Sequence, residues 1–125
     1  MLNIFFISLC FSVSVLDPIE LYPRENPILI HEDEKKFINC SSEGHPGTEE
    51  KDLILSWYRL VNGQEVNMED RVIHRDHTES NRGTVDYADL TFPKFSKDDE
   101  GVYICKRKLG SHVQEKNVTI KKISK

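Results

Sequence analysis

Two cysteines constrain this chain more than any other feature. Cys40 stands alone, and Cys105 closes the run Asp99-x-Gly101-x-Tyr103-x-Cys105 inside SKDDEGVYIC. The third cysteine, Cys10, lies in MLNIFFISLCFSVSVLD, an apolar run with no charged side chain before Asp17. That run is too short to span a bilayer as a stable helix. Ser12 and Ser14 supply the small residues that a cleavage after Ser14 requires. Residues 1–14 therefore read as a secretory signal peptide and 15–125 as the mature domain. Export removes Cys10 and leaves two thiols in an oxidising compartment, where one disulfide is the simplest outcome. In the chain-entropy model a loop of this length stabilises the fold by about 4 kcal/mol.

A chain of 125 residues with a formal charge of -4 has room for one modest core. It carries no electrostatic footprint for nucleic acid. The basic pieces, Lys106 to Lys108 and the terminal KKISK, are short and read as solvated strand ends. No second apolar run follows the first, so the expected product is soluble, with no membrane insertion. It is expected in the extracellular medium.

Between the cysteines the pattern is of short strands and turns. KFINC, LILSWYRL, RVIH, DYADLTF, GVYICKRK and VQEKNVTIKKI read as strands. Asn62-Gly63 marks a tight hairpin. SSEGHPGTEEKD and RDHTESNRGT (residues 75–84) are polar enough to read as loops, and a helical turn is expected only near Ser96 to Glu100. Many short strands punctuated by turns predict an antiparallel β-sandwich.

The order Cys40, Trp57, Cys105 and the Asp-x-Gly-x-Tyr-x-Cys run resemble immunoglobulin domains. The resemblance implies an all-β, immunoglobulin-like β-sandwich of two antiparallel sheets, with one intersheet disulfide joining strands B and F and a core over about 27–122. It also implies that Trp57 packs on the bridge and that Tyr103 forms a tyrosine corner. Gly101 would permit the turn into strand F, and Asp99 would pair with Arg71.

LSWYRL, the Arg71-Val72 step and LTFPKFSKDDEGVYIC resemble, more narrowly, the first domain of the interleukin-1 receptor family. NVTIKK on the last strand is similar to that family too, and the likeness runs from Phe37 to Lys122. Leu90, Phe92 and Pro93 ahead of Asp99 are its most particular element. The extra cysteines common in that first domain are absent. A solitary secreted domain of this kind looks like the interleukin-18-binding proteins, poxviral ones included. Those proteins carry an aromatic residue just before the strand C tryptophan; this chain has Ser56 there, and Tyr58 is expected to take its place on the same face.

With Trp57, Tyr103 and Cys105 facing inward, alternation sends Ile54, Ser56, Tyr58, Val102, Ile104 and Lys106 outward. These residues, extended by Val66 and Met68 and in part by Tyr87, are the expected partner-binding surface. The partner implied by the resemblance is an interleukin-1-family cytokine, interleukin-18 favoured, held away from its receptor by a decoy. The alternative is the N-terminal immunoglobulin domain of a membrane cytokine receptor or an adhesion protein. No oligomeric state is selected.

Catalytic patterns are lacking. His31, His45, His74, His77 and His112 are scattered, without HExxH, CxxC or a glycine-rich phosphate loop. His74, Asp76 and His77 read as a solvated turn and not as metal ligands. Neither an enzyme nor a cofactor is expected. Two glycosylation sequons occur, NVT at Asn117 and NCS at Asn39. The second overlaps a disulfide cysteine, which counts against its use.

Overall fold

The computed structural model describes residues 19–43, 53–79, 83–109 and 111–123. The expected signal peptide, Cys10 and most of the first polar loop lie outside the described residues. Among the described residues nine strands form: β1 (Glu20–Tyr22), β2 (Ile28–His31), β3 (Lys36–Glu43), β4 (Leu53–Val61), β5 (Gln64–Asn67), β6 (Val72–Glu79), β7 (Gly83–Phe92), β8 (Gly101–Leu109) and β9 (His112–Ile123). They build a four-stranded sheet in the order β1-β3-β7-β6 and a five-stranded sheet in the order β2-β9-β8-β4-β5. Every ladder is antiparallel except β2–β9. The fold is an immunoglobulin-like sandwich. Its first strand is divided, with β1 on one sheet and β2 on the other.

The disulfide ties the layers together. Cys40 on β3 bonds Cys105 on β8 across a Cα separation of 6.5 Å. Trp57 on β4 pairs in register with Cys105 and is fully buried beside it. Its indole N–H donates to the Ala88 carbonyl of the opposite sheet at 2.8 Å, which satisfies the one polar atom that the ring brings into the core.

At one pole the core ends in aromatic rings. Phe92 meets Phe95 and Tyr103 edge to face, with centroids 5.3 and 5.6 Å apart. Two guanidinium groups close this pole. Arg71 lies 5.2 Å over Phe92 and Arg59 lies 5.5 Å over Tyr103. Arg59 also donates to the carbonyls of Asp98 and Glu100 at 2.6 and 2.8 Å, and so pins the 3-10 turn Lys97–Asp99 to the sheet. Gly101 enters β8 at φ +158°, a backbone conformation that residues with a side chain rarely adopt.

Three expectations need correction here. The stretch 75–84 is largely strand: β6 and β7 pair from Val72–Leu90 out to Glu79–Gly83. Its polarity marks an edge strand, whose ladder depends on the backbone and not on apolar side chains. IELY and PILIH, which had no element assigned, supply β1 and β2. The packed core accordingly begins at Ile19 and Leu21, ahead of position 27.

Candidate protein-binding face

The outer face of the five-stranded sheet is set by register. Tyr58 on β4, Ile104 on β8 and Asn117 on β9 lie side by side in one row across three strands. Ser56, Lys106 and Glu115 form the next row. The β4–β5 hairpin adds Asn67 beside Tyr58 and Glu65 beside Leu60. Its turn residues Asn62 and Gly63 have φ of +52° and +79°, as a two-residue primed turn demands.

Lys106 organises the middle of this face. Its ammonium sits 2.5 Å from Glu65 and 3.7 Å from Glu115, and 5.1 Å over the Tyr58 ring. Hydrogen bonding to Glu65 raises the Lys106 pKa, so the ammonium stays charged throughout the physiological range. One cation thus holds strands β4, β5, β8 and β9 in a common surface geometry. Ile54 and Leu60 remain 51% and 41% exposed around this cluster, and Val113 is exposed at the far end of β9.

Parity placed Ile54, Ser56, Tyr58 and Lys106 on this face, and the structure brings them together there. Four other members of the expected surface behave differently. Ile104 has the outward parity but is only 5% exposed, because it lies on a central strand between Tyr58 and Asn117. It is the floor of the face and not a contact. Met68 belongs to the core, with its N–H donated to the Trp57 carbonyl at 2.9 Å. Val66 pairs with Arg59 and therefore points to the side opposite Tyr58. Tyr87 is on the other sheet, where Arg75 stacks on its ring at 4.5 Å.

Leu60, Glu65, Glu115 and Asn117 were missed. Continuing the alternation of Ile54, Ser56 and Tyr58 by one step would have found Leu60. Counting back from the two-residue turn would have paired Glu65 with Leu60 and Val66 with Arg59.

The remaining expected positions fall as follows. Tyr103 donates its hydroxyl to the Asp99 carbonyl, and Arg71 lies 3.7 Å from the Asp99 carboxylate. Ser96 and Asp99 form a reciprocal capping box around the turn. Asn117 is exposed, whereas the Asn39 side-chain amide donates to the Asp89 carboxylate. Asp89 in turn accepts two hydrogen bonds from Arg75, at 2.7 and 3.1 Å. His74 contacts Glu69 at 2.5 Å; the side chains of Asp76 and His77 lie outside the described residues. Among the described residues no three His, Cys, Asp or Glu side chains group as metal ligands, and no helix is long and apolar enough to cross a membrane.

No protein-family model matches the chain, and no curated protein matches it. Solved structures do. In a Dpr2 Ig1-Ig2 complex with DIP-Theta Ig1-Ig3, the matched chain is 16% identical with a TM-score of 0.54, over 86% of this chain and 33% of that one. A chimeric titin Z1Z2 is 11% identical with a TM-score of 0.53, over 86% and 97%. A titin M10–obscurin-like 1 Ig complex contains a chain 15% identical with a TM-score of 0.51, over 85% and 94%. This chain spans a third of the Dpr2-complex chain that it matches. At such identities the likeness shows the immunoglobulin fold alone.

Proposed function

We propose that this is a secreted immunoglobulin-like domain that binds a protein ligand through the outer face of its five-stranded sheet. The ligand is an interleukin-1-family cytokine, with interleukin-18 favoured, and binding keeps it from its receptor. The observation that carries the reading is the cluster in which Lys106 bridges Glu65 and Glu115 over Tyr58. Tyr58, an aromatic side chain held in place by Lys106 and flanked by exposed Ile54 and Leu60, has the character of an anchor in a contact surface. The resemblance of LSWYRL and LTFPKFSKDDEGVYIC to the interleukin-1 receptor family selects the ligand class. An intersheet disulfide suits an extracellular domain.

A second reading, an immunoglobulin domain of a cell-surface receptor or adhesion protein, has one observation in its favour. The Dpr2 and titin M10 matches are both complexes of one Ig-domain protein with another. Interleukin-1-family cytokines passed over the immobilised chain test the first reading, and saturable capture of one of them supports it. Capture of none, together with binding to intact leukocytes, overturns it in favour of the second.

A further inference from the structure

The sequon Asn117-Val118-Thr119 lies on β9 with its register fixed, because Val118 is buried in the core. Asn117 is thereby turned outward and exposed, beside Ile104 in the row that ends at Tyr58. The sequon and the contact surface occupy one face. Each was expected from the sequence separately; only the register shows that they compete for space.

We propose that Asn117 carries an N-linked glycan that stands over the β8–β9 half of this face and confines protein partners to the β4–β5 half. The proposal rests on the protein-contact reading above and on passage through the secretory pathway. The co-substrate is a lipid-pyrophosphate-linked oligosaccharide. Asn117 Nδ2 forms a bond to its anomeric carbon, the carbon–oxygen bond to pyrophosphate breaks, the electron pair leaves on the lipid pyrophosphate, and the amide loses one proton. A folded position tolerates the product only if the nitrogen faces water. Asn117 meets that condition. Asn39 does not, since its nitrogen serves the Asp89–Arg75 pair on the other sheet.

Neighbouring strands are about 4.8 Å apart, so a sugar rooted on β9 stands about 10 Å from β4. It therefore reaches Ile104 and Val102 before Tyr58 and Leu60. The footprint left to a partner is Tyr58, Leu60 and Glu65, with Lys106 at the border.

The test uses protein secreted from mammalian cells as wild type, Asn117→Gln, Thr119→Ala and Thr119→Ser. Wild type and Thr119→Ser should carry a glycan on Asn117 by peptide mass spectrometry; the other two should lack it. Hydroxyl-radical labelling of Val102 should rise severalfold in Asn117→Gln over wild type, with Tyr58 and Leu60 labelled equally in both. A wild-type protein without the sugar, or equal Val102 labelling in the two forms, overturns the proposal. Mass and labelling need no ligand. Failure of every cytokine to bind either form therefore counts against the cytokine reading alone.

Discussion

Tyr103 donates its hydroxyl to the carbonyl oxygen of Asp99 over 2.6 Å, across the turn that leads into β8. Burial, which outweighs the opposing pull of Arg59, pushes the Tyr103 phenol up from its ordinary 10.0 to about 12. Below pH 10 the ring is protonated in both the folded and unfolded chains, and its contribution to stability is complete. Above pH 10 the unfolded chain ionises first, and the contribution is lost as pH rises through about 12. The loss reaches about 1.4 kcal/mol by pH 11. Chemical denaturation between pH 8 and 11 reads it. Tyr103→Phe should cost about 1 kcal/mol at neutral pH and lack this alkaline component, so the two curves converge as pH rises.

The bridge between Cys40 and Cys105 closes a loop with a sequence separation of 65. Replacing both cysteines by alanine should cost about 4 kcal/mol. The denaturation midpoint of the variant should match that of the reduced wild type. A midpoint close to that of the oxidised protein would contradict the central place given to this bond.

On the outer face, Tyr58→Ala should weaken capture of the proposed cytokine ligand by about tenfold or more, as for an aromatic anchor, with little change in stability. Val66→Asp should leave affinity unchanged, since Val66 lies on the side opposite Tyr58. Ile104→Asp should lower stability by about 2 kcal/mol or more, because it puts a carboxylate into a buried position. Surface plasmon resonance and thermal melting of each variant separate these effects.

Arg75 is held in a two-pronged contact with the buried Asp89 on the other sheet. Arg75→Ala should destabilise the domain by about 2 kcal/mol, the scale for hydrogen bonds to charged groups. Arg75→Lys should recover only part of this, because an ammonium cannot reproduce the planar fork. Urea denaturation of the two variants gives the comparison.

The parts of the fold legible from the sequence were those in which identity and geometry coincide. Trp57, Tyr103, Cys40 and Cys105 each occupy a position that few other residues can fill, and all four lie in the core. The turn at Asn62-Gly63 was legible because positive φ at two successive positions selects those residue types. Edge strands were harder. β6 carries polar residues because one edge and one face meet water, and composition alone cannot tell that from a loop. The proposed binding face was half legible. Alternation gives the side on which a residue lies, but exposure depends on neighbours in other strands. Ile104 shows the difference: its direction is right, yet Tyr58 and Asn117 flank it. Arg59 was invisible because its task, holding a turn by two carbonyls, leaves no signature in local sequence.

The parallel ladder between β2 and β9 fixes where the domain's two ends point. Because Ile28 pairs with Ile120 and His31 with Ile123, the final strand finishes at the pole of the capped turn and the hairpin. Ile19 enters beside Ser42 at the opposite pole. A module fused behind Ile123 would start at that pole and not on the flat side of the sheet. A tether behind Ile123 would therefore leave from an end of the sandwich, whereas one ahead of Ile19 would start beside Glu115 and Lys116.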